Sequence, residues 1–289
     1  MKYSRIVDPI YHLEVGSIYR DDDTTRSIID EDKKRAYDLA VADVREYATN
    51  IARLSSLSHN EQYAHLLKYN LLNWALLDSL TGSVDGTQFD NVLIPYNFAV
   101  LNLLRSGIPI NGVGLWISEI SNTIINYFNE DAGARTKINN HRYWAGLAVL
   151  TSGIVVESSH YTDWAHESYV LGIEQIQDDG TLPLELERGD KSFDYHNYAV
   201  QPLVAMHYLF YKCSVNDGCF YSISDRIKLL INYVINHDDF DNLPEHKRAW
   251  VHIIPDFMRT ELIQEKINAI ENPYFTGLGG DINLNYPRV

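Results

Sequence analysis

The sequence is poor in positive charge and in long apolar runs. Its 289 residues include 24 Lys and Arg against 39 Asp and Glu, a formal net charge of −15. A nucleic-acid-binding surface needs clustered cations to displace counterions from phosphates, so this deficit argues against nucleic acid as a partner. No apolar run approaches the roughly 20 residues that span a bilayer, so we expect no membrane contact.

Cysteine and the common short motifs are also scarce. The only two cysteines, Cys213 and Cys219, flank a short polar segment, and the sequence leaves a small disulfide loop and two free thiols equally open. Metal-ligand spacings, a Gly-rich phosphate loop and a nucleophilic serine elbow are absent. We therefore expect no metal and no cofactor. Met1 leads into no apolar signal core, which fits either a mature or a non-secreted chain.

Apolar residues at helical spacing dominate the chain from about residue 31, while strand signals are nearly absent. No composition shift marks a linker, so we predict that residues 1–289 form a single all-α domain. Two polar segments, 15–30 and 178–194, are predicted to be loops, and the first has the character of a mobile lid. Capping boxes are predicted at residues 58–61 and 222–225. Helices are predicted near residues 31–56, 59–81, 92–106, 112–129, 140–157, 161–177, 195–213, 222–237 and 259–271.

Residues 139–144, Asn-Asn-His-Arg-Tyr-Trp, place polar groups in an apolar helical stretch where aliphatic side chains are usual. His141 and Trp144 share one helix face, and the two asparagines stand where the helix begins. Taken singly, an asparagine there is more often a cap and a histidine a packed imidazole. The combination with the neighbouring cation and aromatic rings favours a polar binding site.

A second cluster, Tyr195-His-Asn-Tyr198, lies further along the chain. Lys191 stands seven residues before Tyr198, in the preceding loop, and Arg188 lies close by. A cation beside a phenol lowers the pKa of the phenol, so we expect Tyr198 to be ionisable. A single tyrosine is more often an amphipathic packing residue, but the adjacent cations make a packing role alone less favoured.

Three segments resemble the alginate lyases of polysaccharide lyase family 5 in sequence, order and spacing. They are Lys137-Ile-Asn-Asn-His-Arg-Tyr-Trp-Ala145, Gly180-Thr-Leu-Pro-Leu-Glu-Leu186 and Tyr195-His-Asn-Tyr-Ala199. Weaker similarity extends from residues 17–20 to residues 278–281. The resemblance implies an incomplete α/α toroid of paired antiparallel helices around a cleft for an anionic polysaccharide. It further implies a monomeric lyase that acts in the periplasm or after secretion.

The resemblance also implies roles for individual residues. Asn140 and His141 would neutralise the carboxylate of the substrate, and Tyr198 would act as catalytic base and acid. Lys191 stands where the family carries an arginine, and we place it with the catalytic residues. Further substrate contacts are expected from Tyr19, Arg20, Arg142, Tyr143, Trp144, Arg188, Tyr195, His196 and Trp250.

These residue types suit β-elimination from a uronate. Removal of the weakly acidic C5 proton requires neutralisation of the adjacent carboxylate, which amide, imidazole and ammonium donors supply. In β-linked mannuronate the C5 proton and the C4 oxygen lie on one face, so a single tyrosine can serve both. No metal is needed for this chemistry.

Two departures from the family pattern leave the substrate open between polymannuronate and a related polyuronate such as polyglucuronate. Ile18 replaces a lysine, for which Arg20 is the nearest substitute, and Lys191 lacks the bidentate fork of arginine. Two alternative functions remain. One is a hydrolase that uses paired carboxylates of the 178–194 loop, although such acidic clusters are usually solvated. The other is a polysaccharide-binding protein that has lost turnover.

Overall fold

The computed structural model describes residues 7–83, 89–213 and 219–288, and the side chains of residues 213–224 lie outside the description. The predictions for Cys213 and Cys219 therefore concern side chains outside the described residues. The capping box predicted at residues 222–225 is wrong, because these residues lie inside a helix that begins at Cys219. The helices are α1 (Glu31–Ala40), α2 (Ala42–Ser56), α3 (Glu61–Leu76), α4 (Asp90–Arg105), α5 (Gly114–Asn126), α6 (Asn140–Val156), α7 (Ser159–Glu174), α8 (Pro183–Leu186), α9 (Ser192–Cys213), α10 (Cys219–Ile235), α11 (Glu245–Arg248), α12 (Glu261–Asn268) and α13 (Ile282–Asn285).

Short irregular elements join these helices. A π-helical turn covers Tyr127–Asp131, and strands β1 (Tyr274–Phe275) and β2 (Gly280–Asp281) pair antiparallel with Tyr274 opposite Asp281. The 3₁₀ segments are Thr136–Ile138, Gly189–Lys191, Phe240–Asn242, Ala249–Ile253, Asp256–Met258 and Thr276–Leu278. The prediction of an all-α fold is confirmed.

The predicted helix boundaries need three corrections. The stretch 31–56 is two helices, because the backbone leaves helical geometry at Val41, with φ −93° and ψ 1°. The predicted loop 178–194 contains α8, which Pro183 opens at a position where a missing N–H costs nothing. Helix α3 begins later than predicted: Asn60 caps it by accepting from the Gln62 N–H. Ser58, the predicted cap, instead donates to the carbonyl of Ser55.

Helix α6 lies at the centre of the fold and packs against α4, α5, α7 and α9. A glycine in α6 permits the close approach of its neighbours. A Cβ atom on Gly146 would stand 2.8 Å from Ser168 Cβ of α7 and 3.1 Å from Met206 Sδ of α9. Any larger side chain there would force these helices apart. Helices α6, α7 and α9 are thereby held close together.

Residues 15–30 form an irregular segment, as predicted, which we call the lid. An isolated antiparallel bridge between Tyr19 and Ile29 closes it into a loop. The carboxylate of Asp23 accepts hydrogen bonds from the Ser27 and Ile28 amides at 2.6 Å each. The Thr25 hydroxyl donates to the same carboxylate at 2.6 Å, and together with these bonds it holds the pKa of Asp23 below its ordinary value. Along the described residues, none of the helices is both long and apolar enough to cross a bilayer.

Candidate active site

The N-terminus of α6 presents the first polar cluster. The Asn139 side chain caps the helix by accepting from the His141 N–H at 3.0 Å. The next residue, Asn140, is fully buried, and its Nδ2 donates to Glu185 Oε1 at 2.8 Å. Its Oδ1 has no hydrogen-bond partner within the described part of the chain. Asn139 therefore takes the capping role at this end of α6, and His141 beside it is half-buried.

Trp144 joins this cluster to α9. Residues 140 and 144 share one face of α6, and the Trp144 ring lies 5.0 Å from the Tyr198 ring. The indole Nε1 is buried and, among the described residues, has no acceptor. The structure thus brings Trp144 of the first motif into contact with Tyr198 of the second. The arrangement leaves a buried indole N–H next to the tyrosine, a donor suited to an oxygen of a bound ligand.

Tyr198 is half-buried, and burial raises its pKa well above the ordinary value for a phenol. The buried carboxylate of Asp90 and the hydroxyls of Tyr37 and Tyr19 raise it further, whereas Arg45 lowers it. The expectation that a nearby Lys191 lowers this pKa is wrong. Lys191 is not among the main charges that act on Tyr198, and burial of the ring is the dominant effect. At neutral pH the site therefore holds Tyr198 as a protonated phenol.

The lid reaches the site through Tyr19. Its hydroxyl forms a short hydrogen bond with the hydroxyl of Tyr195, one turn before Tyr198 on α9. The guanidinium of Arg188 lies 4.2 Å from the centre of the Tyr195 ring and 5.9 Å from that of Tyr19. Tyr19, Arg188 and Tyr195, three of the predicted substrate-binding residues, thus form one cluster beside Tyr198.

The predicted cations at the surface have different surroundings. Lys191 ends a 3₁₀ turn and is half-buried, and its amine forms no ion pair with the described residues. It stays available to an anionic ligand. Arg20 is exposed, and its guanidinium binds Asp22 at 2.6 and 2.9 Å. The prediction that Arg20 replaces the missing lysine therefore requires it to leave an acidic partner.

Two residues of the first motif face away from this cluster. Arg142 is buried between α6 and α7, where its Nε donates to Ser168 Oγ at 2.7 Å and its guanidinium lies 3.7 Å from the centre of the Trp164 ring. The buried Tyr143 directs its hydroxyl to Gln175 Oε1 at 3.2 Å. Their predicted substrate contacts are corrected to packing contacts, because neighbouring helices already cover both side chains.

His196 and Trp250 are likewise fully buried. The Nε2 atom of His196 accepts from the Leu182 N–H at 2.9 Å, and its Nδ1 lies 2.8 Å from the Ser192 carbonyl. Burial lowers the pKa of this imidazole, which therefore stays neutral. The Trp250 indole donates to Asn197 Oδ1 at 3.0 Å. Both residues support the start of α9, and their ring nitrogens are already bound to groups within the fold, so the predicted substrate contacts are corrected to structural ones.

Glu185 is the residue that sequence reasoning missed. The acidic residues of the 178–194 loop were expected to be solvated, yet Glu185 is 1% exposed and bonded to Asn140. The neighbouring Glu187 behaves as expected, since it is exposed and pairs with Arg135 at 2.6 Å. A short apolar frame around Glu185, Leu-Pro-Leu-Glu-Leu at residues 182–186, was the available signal for its burial.

Comparison with known proteins agrees with this geometry. Residues 109–226, which hold both motifs, match the family model for alginate lyase. A polysaccharide lyase of Stenotrophomonas maltophilia strain K279a is 29% identical over 196 residues, or 64% of this chain and 58% of that protein. An alginate lyase of Pseudomonas putida strain W619 is 43% identical over 67 residues, or 23% of this chain and 18% of that protein. The chain therefore spans less than two thirds of these relatives.

Solved structures share the fold. Alginate lyase A1-III from Sphingomonas species A1 superposes with a TM-score of 0.73 at 17% identity, over 99% of this chain and 86% of that one. A variant of A1-III complexed with tetrasaccharide gives 0.71 at 16% identity, over 98% and 86%. The fold is thus the α/α toroid that the resemblance implied. Residues 109–226, the central part of the chain, are thus similar in sequence to alginate lyases.

Proposed function

We propose that this protein is a polysaccharide lyase that cleaves a uronate-containing polysaccharide by metal-independent β-elimination. The observation that carries the proposal is the contact between Trp144 and Tyr198. It sets a phenol beside the helix end that bears Asn140 and His141. A proton-transfer group and carboxylate-binding donors within one site are the minimum equipment for this reaction.

The donors act on the substrate carboxylate. Abstraction of the C5 proton moves negative charge onto that carboxylate, and donors fixed around it stabilise the charge as it develops. The second amide hydrogen of Asn140, which Glu185 does not use, and the imidazole of His141 are placed at the helix N-terminus, where the backbone dipole also favours an anion. Lys191 adds a positive charge from the loop before α9. Together these groups make the C5 proton acidic enough to remove.

Tyr198 handles the protons. The C5–H bond and the bond from C4 to the glycosidic oxygen break, a C4–C5 double bond forms, and the departing oxygen takes up a proton. As a tyrosinate, Tyr198 takes the C5 proton, and the resulting phenol donates that proton to the departing oxygen. The raised pKa of Tyr198 makes the tyrosinate a strong base. The same raised pKa keeps the tyrosinate scarce at neutral pH. The ionised fraction of Tyr198 therefore limits the rate.

The relatives and the charges of the site support a substrate class. Relatives named as alginate lyases and a fold neighbour complexed with tetrasaccharide support an anionic polysaccharide. Lys191 and Ile18 mark the positions where the family pattern changes, so we propose polymannuronate or a related polyuronate such as polyglucuronate. We further propose that the protein acts on such a polymer as a monomer, in the periplasm or outside the cell.

A hydrolase with paired loop carboxylates is disfavoured. Glu185 is occupied by Asn140, Glu187 by Arg135, and Asp179 by the Thr181 side chain at 2.6 Å. Hydrolysis requires two carboxylates about 5 to 10 Å apart that are open to the substrate. These three carboxylates are instead each bound to a neighbouring side chain. Binding without turnover requires no phenol of raised pKa beside the donors, so a binding protein is also disfavoured.

Ultraviolet absorbance of the unsaturated uronate tests the proposal. The purified chain is incubated with polymannuronate, polyguluronate, polyglucuronate and a neutral glucan, and the absorbance is followed with time. We expect an increase with at least one β-linked polyuronate and none with the glucan. No increase with any polyuronate, under conditions where the chain is folded, would overturn the proposal.

A further inference from the structure

Glu185 and Arg188 form a buried charged pair behind the proposed donors. Their side chains are 1% and 3% exposed, and Glu185 Oε2 lies 3.7 Å from Arg188 Nε. Burial raises the pKa of Glu185 and lowers that of Arg188. Burying two charges is costly, and an apolar pair of similar volume is often as stable. Stability alone is therefore a weak explanation for this pair.

Each member of the pair contacts a different part of the site. Glu185 Oε1 accepts from the amide of Asn140 at 2.8 Å. Arg188 Nη1 donates to the carbonyl of Arg26, in the lid, at 2.6 Å, and its guanidinium faces the ring of Tyr195. One short chain of contacts thus runs from the lid, through Arg188 and Glu185, to Asn140.

The carboxylate also decides how the amide of Asn140 is turned. An asparagine side chain can present either its oxygen or its NH₂ group on a given side, and only the NH₂ group satisfies a carboxylate. Glu185 therefore holds the NH₂ group in place, with one hydrogen bonded and the other available. Without that acceptor, the amide is equally able to turn its oxygen to the substrate, where it would repel a carboxylate.

We propose that Glu185 and Arg188 are positioning residues that couple closure of the lid to the orientation of the Asn140 amide. The effect on turnover rests on the proposed function, whereas the coupling of the lid to Glu185 and Arg188 does not. When the lid is closed, Arg188 is held by the Arg26 carbonyl and holds Glu185 in turn. The donor for the substrate carboxylate is thus set only when the lid covers the site.

Tryptic cleavage after Arg26 reports on the lid, because the carbonyl of that bond is the one that Arg188 holds. The intact chain and the variants Glu185→Gln, Arg188→Gln and the double variant are treated with trypsin under native conditions. Glu187→Gln is the matched control: it is the same substitution two residues away, on an exposed carboxylate. Thermal unfolding identifies any variant that has lost its fold, and the double variant, with no buried charge, guards against that loss.

We expect both single variants to be cleaved after Arg26 about tenfold faster or more, since each loses a coupled contact. The double variant should be cleaved no faster than the faster single variant, because both act on one chain of contacts. The Glu187→Gln control should match the intact chain. Unchanged cleavage in the single variants, or multiplied effects in the double variant, would overturn the coupling.

Kinetics on the polyuronate that the intact chain cleaves test the effect of Glu185 on turnover. Glu185→Gln should lower kcat by about tenfold or more with little change in KM, because the Asn140 donor matters most as charge develops in the transition state. A purely structural role would reduce the folded fraction and leave kcat per folded molecule unchanged, and that result would overturn the assignment. If the intact chain cleaves no polyuronate, the proposed function fails, while the tryptic cleavage still decides whether the lid is coupled to Glu185.

Discussion

Replacement of Tyr198 by phenylalanine removes one hydroxyl and keeps the ring against Trp144, 5.0 Å away. The hydroxyl has no hydrogen-bond partner in the described part of the structure, so its removal leaves no buried group unsatisfied. The free energy of unfolding should therefore change by no more than about 1 kcal/mol. Loss of the proton-transfer group should lower kcat by about 10²- to 10⁴-fold, which corresponds to about 3 to 5 kcal/mol in activation free energy.

The assay measures initial rates from ultraviolet absorbance, with affinity for the polymer measured separately by calorimetry. Tyr143→Phe is the control: it is the same substitution on a buried tyrosine whose hydroxyl contacts Gln175, away from this cluster. We expect this control to retain most of kcat, and the Tyr198→Phe variant to bind the polymer while turnover is lost. A folded Tyr198→Phe variant that keeps more than about a tenth of kcat would refute the role of this phenol.

Three further predictions concern charge and pH. Lys191→Arg should raise kcat/KM on a polyuronate, because arginine binds a carboxylate with two hydrogen bonds, and lower kcat/KM would contradict a carboxylate contact. Because burial raises the pKa of Tyr198, kcat/KM should rise with pH, by at most about tenfold per unit from about pH 7 to about pH 9, and a flat profile would contradict a tyrosinate base. Burial lowers the pKa of His207, bonded to Tyr169, to about 4, so the unfolded chain binds a proton more readily and stability falls as pH drops from about 6.5 to about 4. The loss should be about 3 kcal/mol by denaturant titration, and an equal pH dependence in His207→Gln would contradict it.

The helical fold could be predicted because apolar residues recur at the helical period over long stretches. Short elements escaped prediction, since α8 has only four residues and shows no period. The break at Val41 also escaped, because the apolar pattern continues through it. The local apolar pattern thus predicts long helices, whereas single-turn helices depend on tertiary contacts.

Only part of the site was predicted from the sequence, and helix geometry explains why. Neighbouring residues on a helix point about 100° apart, so six consecutive motif residues cannot face one ligand. Asn140 and Trp144 share the face that meets Tyr198, while Arg142 and Tyr143 turn toward α7. The same reasoning separates Tyr195 and Tyr198 from the buried His196 between them. Helix geometry applied to the motif would have sorted these residues from sequence alone.

Electrostatics was the least predictable part. The proximity of Lys191 in sequence suggested a lowered pKa for Tyr198, whereas burial and the carboxylate of Asp90 raise it. The burial of Glu185 depends on the packing of α8 against α9, which no local pattern reports. Desolvation is a property of the folded surroundings, and sequence spacing does not measure it.

Cleavage of a β-linked polyuronate in oxygen-18 water tests the central claim most directly. β-Elimination forms a double bond without adding water, so we predict product masses that sum to the mass of the parent oligosaccharide, with no oxygen-18 water added across the cleaved linkage. Products heavier by one water, with oxygen-18 at the cleaved linkage and no ultraviolet absorbance, would show hydrolysis and contradict a lyase built on Asn140, His141 and Tyr198.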